Sequence, residues 1–222
     1  MSRTAKKQPA QPAVSLVRQA PAWLGRLMDD GTSRSFAPAP AVREWIQAEI
    51  LEPTGRLHNP DHMHLIDADF EVLWAAGGFS SKMRQVIGQC EELLFRASPW
   101  AKLRQEEQMA HWFGRVPKFL ITLDAGYAAE CAEAEWAALV EHELYHIGHK
   151  HEMGAPKFGL DGKPKLAIRG HDVEEFIGVV RRYGTGGPDS AVSQMVKAAQ
   201  KAPEVAPLKL SQACGTCLLR SV

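Results

Sequence analysis

Residues 141–152, EHELYHIGHKHE, place His142, Glu143 and His146 in the order His-Glu-x-x-His and gather four of the chain's nine histidines into ten positions. On a helix, side chains four apart share a face one turn apart. Two neutral imidazoles so placed can reach one cation at about 2.0–2.1 Å. Glu143 then stands where a carboxylate can hold a water on that cation and take its proton as general base. Helical phase separates this reading from a merely solvated polar face. Trp136, Val140 and Ile147 trace an apolar stripe, and Glu143 falls on it, seven residues after Trp136 and four before Ile147. A carboxylate is costly to bury unless it has a partner or a task. The donor set of imidazoles suits Zn2+.

A catalytic zinc keeps three protein ligands and leaves a position for water. His171, in the segment GHDVEEF, is the first candidate for the third ligand, because it enters from a separate element. Asp172 beside it is an alternative ligand or a hydrogen-bond partner for a ligand histidine. Glu174 and Glu175 are further carboxylates in the same segment, and His149, His151 and Glu152 follow the motif directly. His149 is phased with the pair but sits about 10 Å from His142 along a helix axis, a poor reach for one ion.

Several elements must position these groups. VPKFLITLDAG alternates Phe119, Ile121 and Leu123 with Lys118, Leu120 and Thr122, the period of a strand, and closes in a turn. The dense helix formers of AEAEWAALVEHELYHIGH predict a helix over about 133–148. A second helix, over about 171–183, is expected to open at His171 and to close on Arg181, Arg182 and Gly184. Upstream, VREWIQAEILE carries Val42, Ile46, Ile50 and Leu51 at helical spacing. FEVLWAAGG and RQVIGQCEELLF read as early strands, the second also fitting a helix. One more helix and a proline-broken tail follow residue 187. The fold class is α+β, a small mixed sheet with the motif helix and a second helix bearing the third ligand. The chain divides into an Ala/Pro-rich flexible lead over 1–40, a catalytic domain over 41–186, and a C-terminal helix and tail over 187–222.

Composition narrows the classes. The 222 residues balance 26 basic against 26 acidic side chains, so no overall field favours nucleic acid or an anionic membrane. No apolar run approaches the roughly 20 residues of a membrane span. The basic N-terminus lacks the apolar stretch of a secretory signal, and four cysteines in this length make no disulfide framework. Cytoplasmic residence is expected, with oligomeric state left open. HNPDHMH, with His58, His62 and His64, reads as a proline-containing loop with surface histidines rather than a second metal site. CGTC, with Cys214 and Cys217, has the spacing of half a zinc site but no second pair. Tyr127, Tyr145, Tyr183 and Arg169 are candidates to polarise a carbonyl, Tyr145 from the far side of the helix. Trp100 and Trp112 are expected in the core.

The strand, the helix bearing His142, Glu143 and His146, and the later GHDVEEF resemble the zincin metallopeptidases. The likeness is to the small phage and prophage metallopeptidases in particular and, more distantly, to the SprT-like proteases. It spans roughly residues 42–185. The chain departs from the metzincin pattern, since Gly148 comes one place early and Glu152 stands where that pattern has its third histidine. The resemblance implies a zinc ion, Glu143 as base, a third ligand in the second motif, and hydrolysis of a peptide bond. An extended peptide is expected to add to the KFLITLD strand as an edge. The alternative is a non-catalytic, zinc-stabilised binding or regulatory module of phage origin with four protein ligands.

Overall fold

The computed structural model describes residues 17–81, 84–152, 154–173, 177–206 and 213–214. Its first half runs β1 (Phe36–Pro38), α1 (Pro40–Ile46, continued by a π turn over Gln47–Leu51), a 3-10 helix (Pro60–Leu65), β2 (Phe70–Ala75), β3 (Phe79–Ser81), β4 (Arg84–Glu92) and α2 (Pro99–Phe113). There follow β5 (Phe119–Asp124), α3 (Ala125–Glu130), α4 (Glu133–Tyr145), the short strands β6 (Ile147–His149), β7 (His151–Glu152), β8 (Ala155–Pro156) and β9 (Leu166–Ile168), then α5 (Ile177–Tyr183), α6 (Ala191–Ala199) and β10 (Ala213–Cys214). Helix and sheet share one layered α+β body, as the patterning predicts.

Strand β5 shows why the sheet is arranged as it is. Phe119, Ile121 and Leu123 are sealed into the main core with Trp45, Trp74, Trp136 and Val140. Leu120 points the other way, into a smaller cluster with Leu73 and Met109. A strand apolar on both faces belongs inside a sheet, and β5 is flanked by β2, parallel, and β4, antiparallel. The sheet order is β1-β2-β5-β4-β10, with β3 pairing β4. The expected role of KFLITLD as an edge is therefore corrected. The strand that borders α4 is β4, the next in the order after β5.

α1 and α4 cover the main core, while α2 supports the smaller cluster through Met109 and Trp112. Sequence reasoning missed α2, although Pro99 at its start and Gly114 past its end, with φ 73°, are ordinary boundary signals. Trp100 does not serve the core. It sits in the first turn of α2, 80% exposed. The expectation of a flexible lead also changes over its described part. Val17 is buried in the main core, the Arg18 guanidinium donates to the Cys131 carbonyl, and β1 pairs antiparallel with β2. Small Ala37 and Ala39 let this proline-rich stretch lie flat against the domain, both being buried. Among the described residues no helix is long and apolar enough to cross a membrane.

Candidate metal centre

α4 begins where Glu135 reaches back to the Ala132 N–H at 2.9 Å, the half of a capping box that an alanine at this position allows. Its buried side is Trp136, Ala137, Leu139, Val140, Glu143 and Leu144. Trp136 packs between Trp45 and Trp74, with ring centroids 6.0 and 5.7 Å away. This anchor sets the rotation of the helix, and the same rotation carries Glu143 into the interior at 0% exposure and His146 at 2%. The helix ends at Tyr145 rather than at Gly148. His146 is the cap residue and keeps a right-handed helical backbone, φ −70° and ψ −15°, so the two motif histidines still share a face.

The chain then turns at once into β6, which pairs with β9 from Ile147 opposite Ile168 to His149 opposite Leu166. That pairing extends one step further. The Arg169 N–H donates to the His146 carbonyl at 2.9 Å, and His146 Nδ1 donates to the Arg169 carbonyl at 2.8 Å. A carbonyl can only accept, so Nδ1 carries the proton and Nε2 is left as the ligand nitrogen. The Arg169 stem crosses Gly148, where an added Cβ would meet its Cδ at 2.7 Å. A side chain at 148 would have to displace that stem.

Two residues beyond Arg169 comes His171. The helix expected to open on it is described only from Ile177, and His171 to Val173 have no helical backbone. Backbone bonds to the end of α4 hold this stretch in continuation of β9, and that placement still delivers the third imidazole. His171 Nε2 lies 3.1 Å from His142 Nε2. Two nitrogens each about 2.05 Å from a tetrahedral ion are about 3.3 Å apart. The three rings of His142, His146 and His171 have centroids 4.9–5.2 Å from one another. One nitrogen of each lies within 4.8 Å of the other two. Burial, and then the neighbouring His146 and His171 rings, push the His142 pKa down to about 4, so the imidazole is neutral, the form that binds a metal. Donor type, tautomer, protonation and spacing all fit Zn2+.

The other candidates are placed elsewhere. Asp172 pairs with Arg169 and is not in the converging group. His149 and His151 are exposed on β6 and β7, and Glu152 pairs with Lys157. Glu174 and Glu175 lie outside the described residues, as does Cys217. Of the upstream histidines, His62 is wholly buried, contrary to a surface loop, and His64 Nε2 lies 2.8 Å from the Ile147 carbonyl. Tyr145 donates to Asp61 and accepts from Asn59. One site residue was read in another role and one escaped the sequence reading. Arg169 acts through its backbone, which no side-chain pattern reports. Gly88 in β4 lies directly over Glu143, where an added Cβ would come 2.6 Å from Oε1 and 2.9 Å from Leu139 Cδ1. A lone glycine inside a strand pattern is the signal of such a close approach.

A family model described as "Putative phage metallopeptidase" matches residues 43–200, well over half of the 222. No curated protein and no solved structure matches the chain. The matched span contains α4, Gly88 and His171, so likeness and geometry fall on the same groups: the chain belongs to the phage metallopeptidase family and is a zinc-dependent peptidase of the zincin type.

Proposed function

We propose that His142, His146 and His171 hold the zinc ion and that Glu143 is the general base for hydrolysis of a peptide bond. The observation that carries this assignment is the convergence of the His142, His146 and His171 imidazoles beside a carboxylate buried on the apolar stripe of the motif helix. Zinc, when bound, supplies Lewis-acid polarisation of the scissile carbonyl and of the attacking water. Glu143 takes the proton of that water at a carboxylate oxygen and delivers it to the leaving amine nitrogen. The interior position of Glu143, against Leu139 and the Gly88 backbone, limits competing solvent and holds the carboxylate in one orientation. His146 is kept in the ligand tautomer by the Arg169 carbonyl.

The substrate is an extended segment of peptide or unfolded protein, and the balance of 26 basic and 26 acidic residues favours it over nucleic acid. Four cysteines in 222 residues support a reducing, cytoplasmic setting. The catalytic unit spans 41–186, with 187–222 as an appended C-terminal region. Fluorescein-labelled casein and elemental analysis test the roles together. Glu143→Gln is expected to keep about one zinc per chain and to lower hydrolysis by about 10²–10⁴-fold. Equal hydrolysis by the variant and the wild type would remove Glu143 from the mechanism.

A further inference from the structure

The register of the sheet shows something about β4 that the catalytic groups alone do not. Val86 is paired with Phe79 of β3 and also with Ala213 of β10. Gly88 is paired with Leu123 of β5 and also with Cys214 of β10. One residue cannot pair twice on the same side, so β10 runs along the outer side of β4, opposite β3 and β5. Among the described residues β10 is what pairs there. Gly88 is also the residue whose backbone lies against the Glu143 carboxylate, within 2.6 Å of an added Cβ. Residues 213–214 thus pair along β4 at Gly88, the position whose backbone lies against the proposed base.

A strand edge presents alternating N–H and carbonyl groups that an extended chain can satisfy. At Gly88 this edge lies against Glu143. We propose that residues 213–214 are an internal occupant of the substrate edge of β4, so that the C-terminal segment holds the enzyme partly closed and must leave before a peptide can pair beside Gly88. The inference rests on the peptidase reading above. A tethered occupant competes at an effective concentration set by its own chain, in the millimolar range for a short connection. Only the fraction of molecules with the edge vacant binds substrate, and apparent affinity falls by that fraction. The register irregularity between Ala213 and Cys214 keeps this ladder short, as a displaceable segment requires.

The test uses the full-length, zinc-loaded chain and the double substitution Ala213→Pro with Cys214→Pro, which removes both backbone donors of β10. Three readouts are compared with the wild type. Hydrogen exchange at the backbone amides of Val86 to Gly88 is expected to quicken at least tenfold. Binding of fluorescein-labelled casein, followed by anisotropy on a Glu143→Gln background, is expected to tighten about tenfold. The apparent KM for casein is expected to fall by the same factor at unchanged kcat. Unchanged exchange and unchanged casein affinity, with zinc retained, would overturn the proposal. A zinc-loaded wild type and variant that both fail to cleave casein would strike at the peptidase reading instead, while the exchange at β4 still reports on the tail.

Discussion

Two histidine clusters lie near α4 and β6, and among the described residues only one of them gathers three donors where a metal ion could sit. On the first, His142, His146 and His171 bring one nitrogen each to within 4.8 Å of the others. The second is as rich in imidazole, with His62, His64 and His149 near one another, yet these three do not bring one nitrogen each to a common point. His64 Nε2 lies against the Ile147 carbonyl, and its ring meets His149 edge-on at 5.0 Å. His62 is stacked on Tyr145 with centroids 4.4 Å apart and is closed off from solvent. The contrast teaches that histidine density does not make a site. What matters is that a neighbour orients each ring through its other nitrogen, as the Arg169 carbonyl does for His146, and leaves the remaining lone pairs aimed at one point.

The largest effect that sharpens this contrast is on metal content. His142→Ala, His146→Ala and His171→Ala are each expected to weaken zinc binding by more than about 100-fold, beyond what loss of a supporting hydrogen bond costs. His64→Ala and His149→Ala are expected to keep one zinc per chain by elemental analysis, and zinc lost with either would merge the two clusters into one.

The next effect is on stability in acid and belongs to the second cluster. Burial, and then the neighbouring His64, push the His62 pKa down to about 4 from 6.5. Between those values the unfolded chain holds a proton that the folded chain refuses. Stability therefore falls as pH drops from about 6.5 to about 4, by a total of about 3 kcal/mol that is absent above this window and fully incurred below it. Urea unfolding across this range should show a shallower acid loss for His62→Phe than for the wild type. An identical pH dependence would mean that His62 is not the neutral, sealed residue described here.

The smallest effects concern groups at the margins of the two clusters. Tyr145→Phe removes the hydroxyl that bonds Asp61 at 2.9 Å and Asn59 at 3.1 Å and should cost about 1 kcal/mol in urea without changing zinc content. Asp172→Ala breaks an exposed pair with Arg169, worth less than about 1 kcal/mol. Its zinc content should equal the wild type's, and a deficit would return Asp172 to the ligand set.

Much of the site was legible along the chain because a helix converts spacing into direction. Trp136, Val140 and Ile147 defined a buried stripe, and Glu143 was bound to lie on it whatever the helix packed against. The strand β5 was legible for the same kind of reason, through a period of two, whereas β2 and β4 were read from short apolar runs. Even the imperfect alternation at Leu120 carried information, since that residue faces a second cluster beneath α2. His171 was found from its residue type and its separation from the motif, but the helix expected to open on it is described only from Ile177. The hydrogen bonds between His146 and Arg169 extend the ladder of β6 and β9 into this segment, and such nonlocal pairing leaves no periodic trace.

The sequence by itself determined the chemistry: a His-Glu-x-x-His helix, its rotation toward the core, a third imidazole of the right type, and a charge balance without a strong field. Only the tertiary structure decided which histidines converge, that β4 rather than β5 borders α4, that Gly88 rests on Glu143, and that the C-terminal segment lies along the same edge. Helical and strand periodicities are local consequences of backbone geometry and can be read residue by residue. Convergence and edge occupancy depend on which distant backbone groups pair, and those pairings are settled only when the whole core closes.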